Sequence, residues 1–332
     1  SVGDVSFCGT DMYTNEAIAT FLPSEKYDLR YLYYAAPLFI IKNANENIYG
    51  AKLLNQDLIK NATILDIPYD DQVSISDYLD AKCTEIDALI AAKEKTNALL
   101  REHRQSIIYE AVTKGLDPDA SMKDTGIEWI GIIPEHWEVR RLKIIADMQT
   151  GTTPKTTSTE YFDGDVNWFT PADFNGEMVI KESERKLSCK AIEDGQAHLF
   201  PKNTIMFVGI GATVGKIAFV QVEASCNQQI TAVLPKDPER TKYYAYWLAS
   251  CSSAIKSTAN YTTLPIINNQ HLGETPCPYV FDVNEQSRIT DYLDSKCSEI
   301  DNLISANETT IQKLKEYRQS VIYEAVTGKI EI

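Results

Sequence analysis

From residue 77 to 113, and again from 291 to 327, apolar side chains recur every third or fourth position with no proline or glycine between them. In the second stretch Leu293, Ile300, Asn307, Leu314 and Val321 fall seven apart. Leu303 and Thr310 occupy the other seam position, with Ile304 and Ile311 beside it. A sustained seven-residue spacing is the pattern of a coiled-coil seam. Both stretches are rich in Ala, Leu, Glu and Lys, which hold a helix at little cost in side-chain freedom. A helix of about 36 residues is about 54 Å long. Neither stretch has a globular partner in its own sequence, so the simplest burial of both stripes is against each other as an antiparallel coiled coil.

The two stretches are copies. "DYLDAKCTEIDALIAAKEKTNALLREHRQSIIYEAVT" recurs 214 residues later as "DYLDSKCSEIDNLISANETTIQKLKEYRQSVIYEAVT", identical at 25 of 37 positions. A fainter match runs upstream: "SVGDVSF" (1–7) pairs with "TVGKIAF" (213–219), and "NQDL" (55–58) with "NQHL" (269–272). Repeats at fixed offset are units of architecture. The chain reads as two copies of one unit, globular module then long helix, related by a pseudo-two-fold. The first copy opens inside a strand, at the counterpart of residue 213. With a unit starting near residue 125, about 88 residues are expected to be missing from a chain of about 420.

Between the copies, Pro118, Gly126, Gly131 and Pro134 mark a linker at 116–137, where Trp129 and Trp137 can clamp the next domain onto the preceding helix. Beyond it, short β-rich runs ("DVNWFTPADF", "TIMFVGIGATVGKIAFV", "NQQITAVLP") alternate with turn clusters, and "TKYYAYWLASCSSAIKS" reads as a helix. The fold class is therefore α/β (α+β), with mixed domains joined by two long helices. The segments are 1–71, the end of a first module; 72–115, helix; 116–137, linker; 138–285, a second module; and 286–332, helix. At 332 residues and 44% apolar, the chain can bury the cores of one to three domains.

The net charge of −15 argues against an ordinary nucleic-acid binder, but it is unevenly spread. Residues 139–281 hold 14 basic and 14 acidic side chains and are neutral, whereas 1–71 hold five and ten. One domain can face DNA while the rest carries the acid. Seven scattered cysteines without a C-x-x-C pair point to reduced thiols and a cytoplasmic chain, and four histidines lack metal-ligand spacing. No apolar run approaches the roughly 18–20 residues that span a bilayer. The expectation is no metal and no membrane.

"GIGATVGKIAF" (209–219) poses the question of catalysis. A phosphate loop needs a glycine five residues before Gly215 and a hydroxyl after Lys216; Ile210 and Ile217 stand there, and "IAFV" reads as a strand where a helix is required. "FVGIG" imitates a methyl-donor turn, yet no [ND]-P-P-[FY] tetrapeptide accompanies it. Glu184 and Lys186 supply only the tail of a nuclease motif, and no Ser/His/Asp set stands out. The stretch is expected to be a glycine-rich hairpin, and the chain to have no catalytic residues.

Three features together resemble the specificity subunit of type I restriction–modification systems: "TGIEWIGIIPEHWEVRRL" (125–142), the hairpin "VGIGATVGK", and the duplicated helix ending "RQSVIYEAVTGK". The resemblance implies two target recognition domains, each reading half of a bipartite double-stranded DNA target, with the helices setting the spacer. It implies two methyltransferase subunits docked on the chain and restriction–translocase subunits joining them. S-adenosylmethionine, ATP and magnesium would belong to those partners, and the chain itself would hold no cofactor. The front of the first recognition domain departs from the family pattern by being absent.

Base readout needs paired donors and acceptors on exposed loops, and phosphates need Lys, Arg, hydroxyls or backbone amides. The loop "TGTTPKTTST" (150–159) offers Lys155, Thr156 and Thr157. "NYTTLPIINNQ" (260–270) offers Tyr261, Thr262, Asn268, Asn269 and Gln270. Trp168, Asp173, Asn175 and Lys216 complete the expected surface. Asn269 and Gln270 align with Asn55 and Gln56 of the first copy, which leaves a scaffold role open for them. The repeated helix residues Arg104, Tyr109, Glu110, Arg318, Tyr323 and Glu324 are candidates for docking the methyltransferase, with plain helix packing as the alternative. The competing function is a coiled-coil adaptor that assembles partners without reading DNA.

Overall fold

The computed structural model describes residues 2–46, 50, 52–258, 260–261 and 265–332. Its helices are α1 (Leu29–Phe39), α2 (Gln56–Lys60), α3 (Tyr69–Lys114), α4 (Leu142–Ile145), α5 (Cys189–Glu193), α6 (Thr241–Ser257), α7 (Asn269–Gly273) and α8 (Val283–Val326). The two long helices fall within three residues of the expected starts, and α6 coincides with the run read as a helix. The second long helix ends at Val326 and does not run to 332. The chain forms two compact units, 1–99 with 302–332, and 100–301.

In the first unit, α1 is opened by Asp28, whose carboxylate accepts from the backbone amides of Arg30 and Tyr31. That satisfies two of the amides a helix start leaves unpaired. Tyr31, Tyr34 and Ala35 then pack with Ile75, Leu79 and Cys83 of α3 and with Val321, Ile322, Ala325 and Val326 of α8. Further along, Ile86 and Ile90 meet Ile311 and Leu314. The buried line on this part of α8 follows Ile304 and Ile311, while Leu303 is 56% exposed and Thr310 lies outside. The second seam position is thus one residue later than the heptad reading, because the stripe of a straight helix drifts from a strict 3.5-residue period.

Residues 2–28 contain no strand, contrary to the match with 213–219. Ile217–Val220 is a strand because it is held between Thr204–Val208 and Val179–Ile180. Residues 2–28 are paired with no described strand, and a lone strand leaves its backbone groups unpaired.

The second unit is built on a five-stranded sheet in the order Ala146–Thr150, Ile230–Pro235, Thr204–Val208, Ile217–Val220, Val179–Ile180, antiparallel except for the last pair. All five residues of Thr204–Val208 are buried, as a central strand covered on both faces must be. Ile205 and Phe207 join Trp247, Tyr243 and Leu272 in one core, and Met206 and Val208 join Phe169, Phe174 and Phe200 in another. Alternate side chains of a strand point to opposite faces, so one strand serves both cores. A three-stranded sheet, Ala224–Cys226, Phe162–Phe169 and Lys186–Leu187, lies beside it.

The segment 116–137 is more than a linker. It holds a two-stranded ladder of Met122–Asp124 with Ile132–Pro134, and Ile130, Ile133 and Trp137 are buried against α3 and α6. Trp137 donates to Glu285 Oε1 at 3.1 Å, and Trp129 stacks on Trp247 with ring centroids 5.5 Å apart. Proline and glycine gave the segment its linker composition, but its aromatic and isoleucine anchors decide its place.

Candidate nucleic-acid interface

Three segments converge in the second unit and enclose a cleft of about 320 Å³. The first begins at Thr150, where the strand Ala146–Thr150 ends and the loop 150–159 starts. The second is the turn after Val208, with Gly209 and Ile210. The third runs from Ile266 through Gln270, and Gln228, Gln229 and Thr231 form the floor.

The turn is the expected hairpin: Thr204–Val208 pairs antiparallel with Ile217–Val220. Gly211 and Gly215 carry φ of +107° and +91°, a region that favours glycine. A strand follows Lys216, which is incompatible with a phosphate loop. The loop 150–159 is anchored by Gly151. A Cβ there would lie 2.2 Å from the Cys226 carbonyl oxygen and 2.5 Å from that of Asn227. Burial of the neighbouring Cys226 pushes its thiol up to about 12, so it stays neutral and forms part of the wall.

Hydrogen bonds fix the cleft's amides one by one. Asn269 Oδ1 accepts from the hydroxyls of Thr231 at 2.8 Å and Thr150 at 3.2 Å. Gln229 Oε1 accepts from Asn227 Nδ2 at 3.0 Å, and Gln228 Oε1 accepts from the Thr153 hydroxyl. Asn268 Oδ1 accepts from the His271 amide at 2.8 Å and caps α7. Gln270 is exposed, and its side chain makes no hydrogen bond among the described residues. In the first copy the corresponding cap of α2 is Asn55. The caps are therefore Asn55 and Asn268, one residue away from the "NQ" alignment, and Asn269 and Gln270 are released from the role of Asn55 and Gln56.

The remaining expected contacts divide. Lys155, Thr156 and Thr157 are exposed on the loop, without hydrogen bonds from their side chains. Tyr261 lies in a short strand whose backbone pairs with Pro265, and Thr262 lies outside the described residues. Trp168 is a correction: it is 2% exposed, donates to the Thr152 carbonyl at 3.1 Å and sits under the Arg185 guanidinium. It supports the loop from beneath and presents no face to a ligand. Asp173 is likewise occupied, Oδ2 accepting from the Thr170 amide and hydroxyl and Oδ1 from the Glu184 amide. Asn175 holds a local turn by accepting from the Glu177 amide, and the Lys216 ammonium donates to the Phe174 carbonyl at 2.7 Å. Gln228, Gln229, Thr231 and Ile266 escaped the sequence reading. The signal for Gln228 and Gln229 was the amide pair near the start of "NQQITAVLP", which passed as the start of a strand, and Ile266 lay within the candidate loop 260–270 without being singled out.

The helix candidates are similarly mixed. Arg318 pairs with Asp87 at 2.9 Å in the first unit, and Arg104 with Asp301 at 3.1 Å in the second. Tyr109 donates to the Ile130 carbonyl at 3.0 Å. Glu324 accepts from Ser320, and the Tyr323 ring lies under the Lys329 ammonium. Glu110 is exposed, with Lys114 at 3.8 Å. Four of the six are engaged within the fold, and Glu110 and Tyr323 remain outward.

Residues 134–316 match the family described as the type I restriction modification DNA specificity domain. Over 183 residues, 54% of this chain and 42% of the relative, the chain is 32% identical to the type I restriction enzyme MjaIX specificity subunit of Methanocaldococcus jannaschii. It is 28% identical over 180 residues to the EcoR124I/EcoR124II specificity subunit of Escherichia coli, covering 52% of this chain and 42% of that one. The matches thus span less than half the length of these two relatives. The fold is shared with a chain from a solved structure described as "Structural basis underlying complex assembly and conformational transition of the type I R-M system". There the TM-score is 0.69 at 17% identity, over 91% of this chain and 72% of that one. Among the described residues no cluster of side chains could hold a metal, and no helix is long and apolar enough to cross a membrane.

Proposed function

The chain belongs to the type I restriction–modification DNA specificity family, and we propose that it is the non-catalytic subunit from which such a complex takes its DNA sequence. The observation that carries this reading is the cleft itself: Gln228, Gln229, Asn268, Asn269 and Gln270 of the matched domain bring uncharged amides together with the hydroxyls of Thr150 and Thr231, and Lys155, Thr156 and Thr157 are exposed on the loop that begins at Thr150. Amides and hydroxyls suit base edges, and a lysine suits the phosphate backbone.

On this reading the target is bipartite, one half for each copy of the repeated unit, and the protein's pseudo-two-fold matches a divided site. The long helices pair as an antiparallel coiled coil that sets the spacer; α3 alone, with 46 residues, is about 69 Å long at 1.5 Å per residue. Methyltransferase subunits dock on the helices, with Glu110 and Tyr323 as the outward members of the repeated set. Restriction–translocase subunits join for cleavage. S-adenosylmethionine, ATP and magnesium chemistry belongs to these partners, in the cytoplasm where they meet DNA. The balance of 14 basic and 14 acidic side chains over 139–281 fits a protein that shares phosphate neutralisation with its partners.

The test is selection from random-sequence duplexes by the chain, with and without its methyltransferase subunit, followed by sequencing of the retained DNA. A motif that emerges with the partner is the expected result. A stable complex that enriches no sequence would overturn DNA reading and leave the adaptor function, which the net charge of −15 favours.

A further inference from the structure

Direct reading of adenine in the major groove requires one side chain that both accepts from N6 and donates to N7, the pairing that Asn or Gln supplies. Guanine calls instead for Arg or Lys, and cytosine N4 for a carboxylate. Among the described residues the cleft is lined by no charged side chain. It offers five amides among them, and in four the oxygen already accepts within the fold: Gln228 from Thr153, Gln229 from Asn227, Asn268 from the His271 amide at the α7 cap and Asn269 from two threonines. Each of those four is thereby held in an orientation set by the protein, and Asn269 has both lone pairs of its oxygen occupied. Gln270 alone keeps both its oxygen and its nitrogen free, and it is exposed. Four residues away on the same wall, Ile266 is 37% exposed, an apolar surface of the kind that meets the thymine methyl group.

We infer that this cleft reads an A·T base pair, with the Gln270 amide on the adenine edge and Ile266 against the thymine methyl. The inference rests on the DNA-reading function proposed above and adds which base the second recognition module demands and which residue demands it. Gln228, Gln229 and Asn269 form the rigid floor. Asn269 ties the segment 266–270 to Thr231 and Thr150, and the Ile267 amide donates to the Gly209 carbonyl.

The experiment compares the full chain, assembled with its methyltransferase subunit, with its Gln270→Ala variant, both presented with the same random-sequence duplex pool. The wild type is expected to enrich a motif with at least one invariant A·T pair. In the variant that one position relaxes to any base while the others persist. In the wild-type motif, replacing that adenine with 7-deazaadenine, which lacks the N7 acceptor, is expected to weaken binding about tenfold, and uracil for its thymine to weaken it less. An Ile266→Ala variant should abolish the preference for thymine over uracil. If Gln270→Ala keeps every invariant position, or if the invariant positions are all G·C, the base assignment is overturned while DNA reading stands. If the wild type enriches nothing, DNA reading itself falls and the assignment with it.

Discussion

Asn307 donates its side-chain amide to Asn97 Oδ1 at 2.8 Å, and the pair sits where the heptad pattern of α8 would place an apolar residue. Lys93 adds a bond to Asn307 Oδ1 at 3.0 Å, and Asn97 is only 3% exposed. A buried polar pair of this kind fixes register at a cost in stability. Asn307→Leu is expected to destabilise the protein by about 1–3 kcal/mol, because it strands the Asn97 amide. The double variant Asn97→Leu/Asn307→Leu should melt above wild type, yet let the helices pair in more than one register. Thermal melts of the three variants, with cysteine cross-linking along the helices to report register, check both statements.

Gly151 is expected to tolerate no side chain. The atoms facing it are backbone carbonyls at 2.2 and 2.5 Å, which cannot swing aside as a flexible side chain would. Gly151→Ala should cost about 1–3 kcal/mol and displace the loop 150–159, lowering DNA affinity as well as the melting temperature. Gly9→Ala, where nothing lies within 4 Å of the new methyl, is the control and should change neither. Chemical denaturation alongside DNA binding measures the pair.

Lys155→Ala should leave stability unchanged, since the side chain is exposed and makes no bond. If the lysine meets a phosphate, binding weakens evenly across sequences and the slope of log K against log salt falls by about 1. Titration of one selected duplex at several salt concentrations reads that slope directly. A change in sequence preference with an unaltered slope would place Lys155 on a base.

The thiols give a prediction in pH. Cys8 and Cys189 are exposed and the other five cysteines are buried. Burial pushes Cys226 up to about 12 and raises Cys251 and Cys277 well above the usual thiol range. The reactive form is the thiolate, so at pH 8 two thiols should react quickly with a disulfide reagent and five only after unfolding. These groups hold their protons more tightly in the folded chain than in the unfolded one. Their contribution to stability is complete below the ordinary thiol value of 9.0 and is lost as pH rises from there through about 12. Denaturant midpoints should fall steadily across that interval.

What could be seen in the sequence follows physical lines. The long helices, α6 and the glycine hairpin were legible because each carries a short-range signal: spacing along one helix face, or glycines where the chain must turn. Trp168 was misjudged because "DVNWFTPADF" mixes polar and aromatic residues, and only the neighbouring sheet shows that the indole lies beneath the loop. The same limit hid Gln228, whose side chain meets Thr153 of a remote segment, and Gln229, whose carbonyl accepts from the Gly209 amide. The roles of Asn269 and Gln270 turned on a single-residue slip between the copies, which alignment masks and the cap hydrogen bonds of Asn55 and Asn268 reveal.

One joint recurs in both units. In the first, Tyr34 donates to Asp80 at 2.7 Å, and Arg30 reaches the same carboxylate. In the second, Tyr246 donates to Asp294 at 2.8 Å, and Lys242 reaches that carboxylate. Tyrosine and cation come from the globular module, and the aspartate from a long helix, in tracts identical at 25 of 37 positions. Either module therefore meets its helix through the same set of groups, so exchanging one module for the other would keep a tyrosine and a cation on the aspartate at each joint.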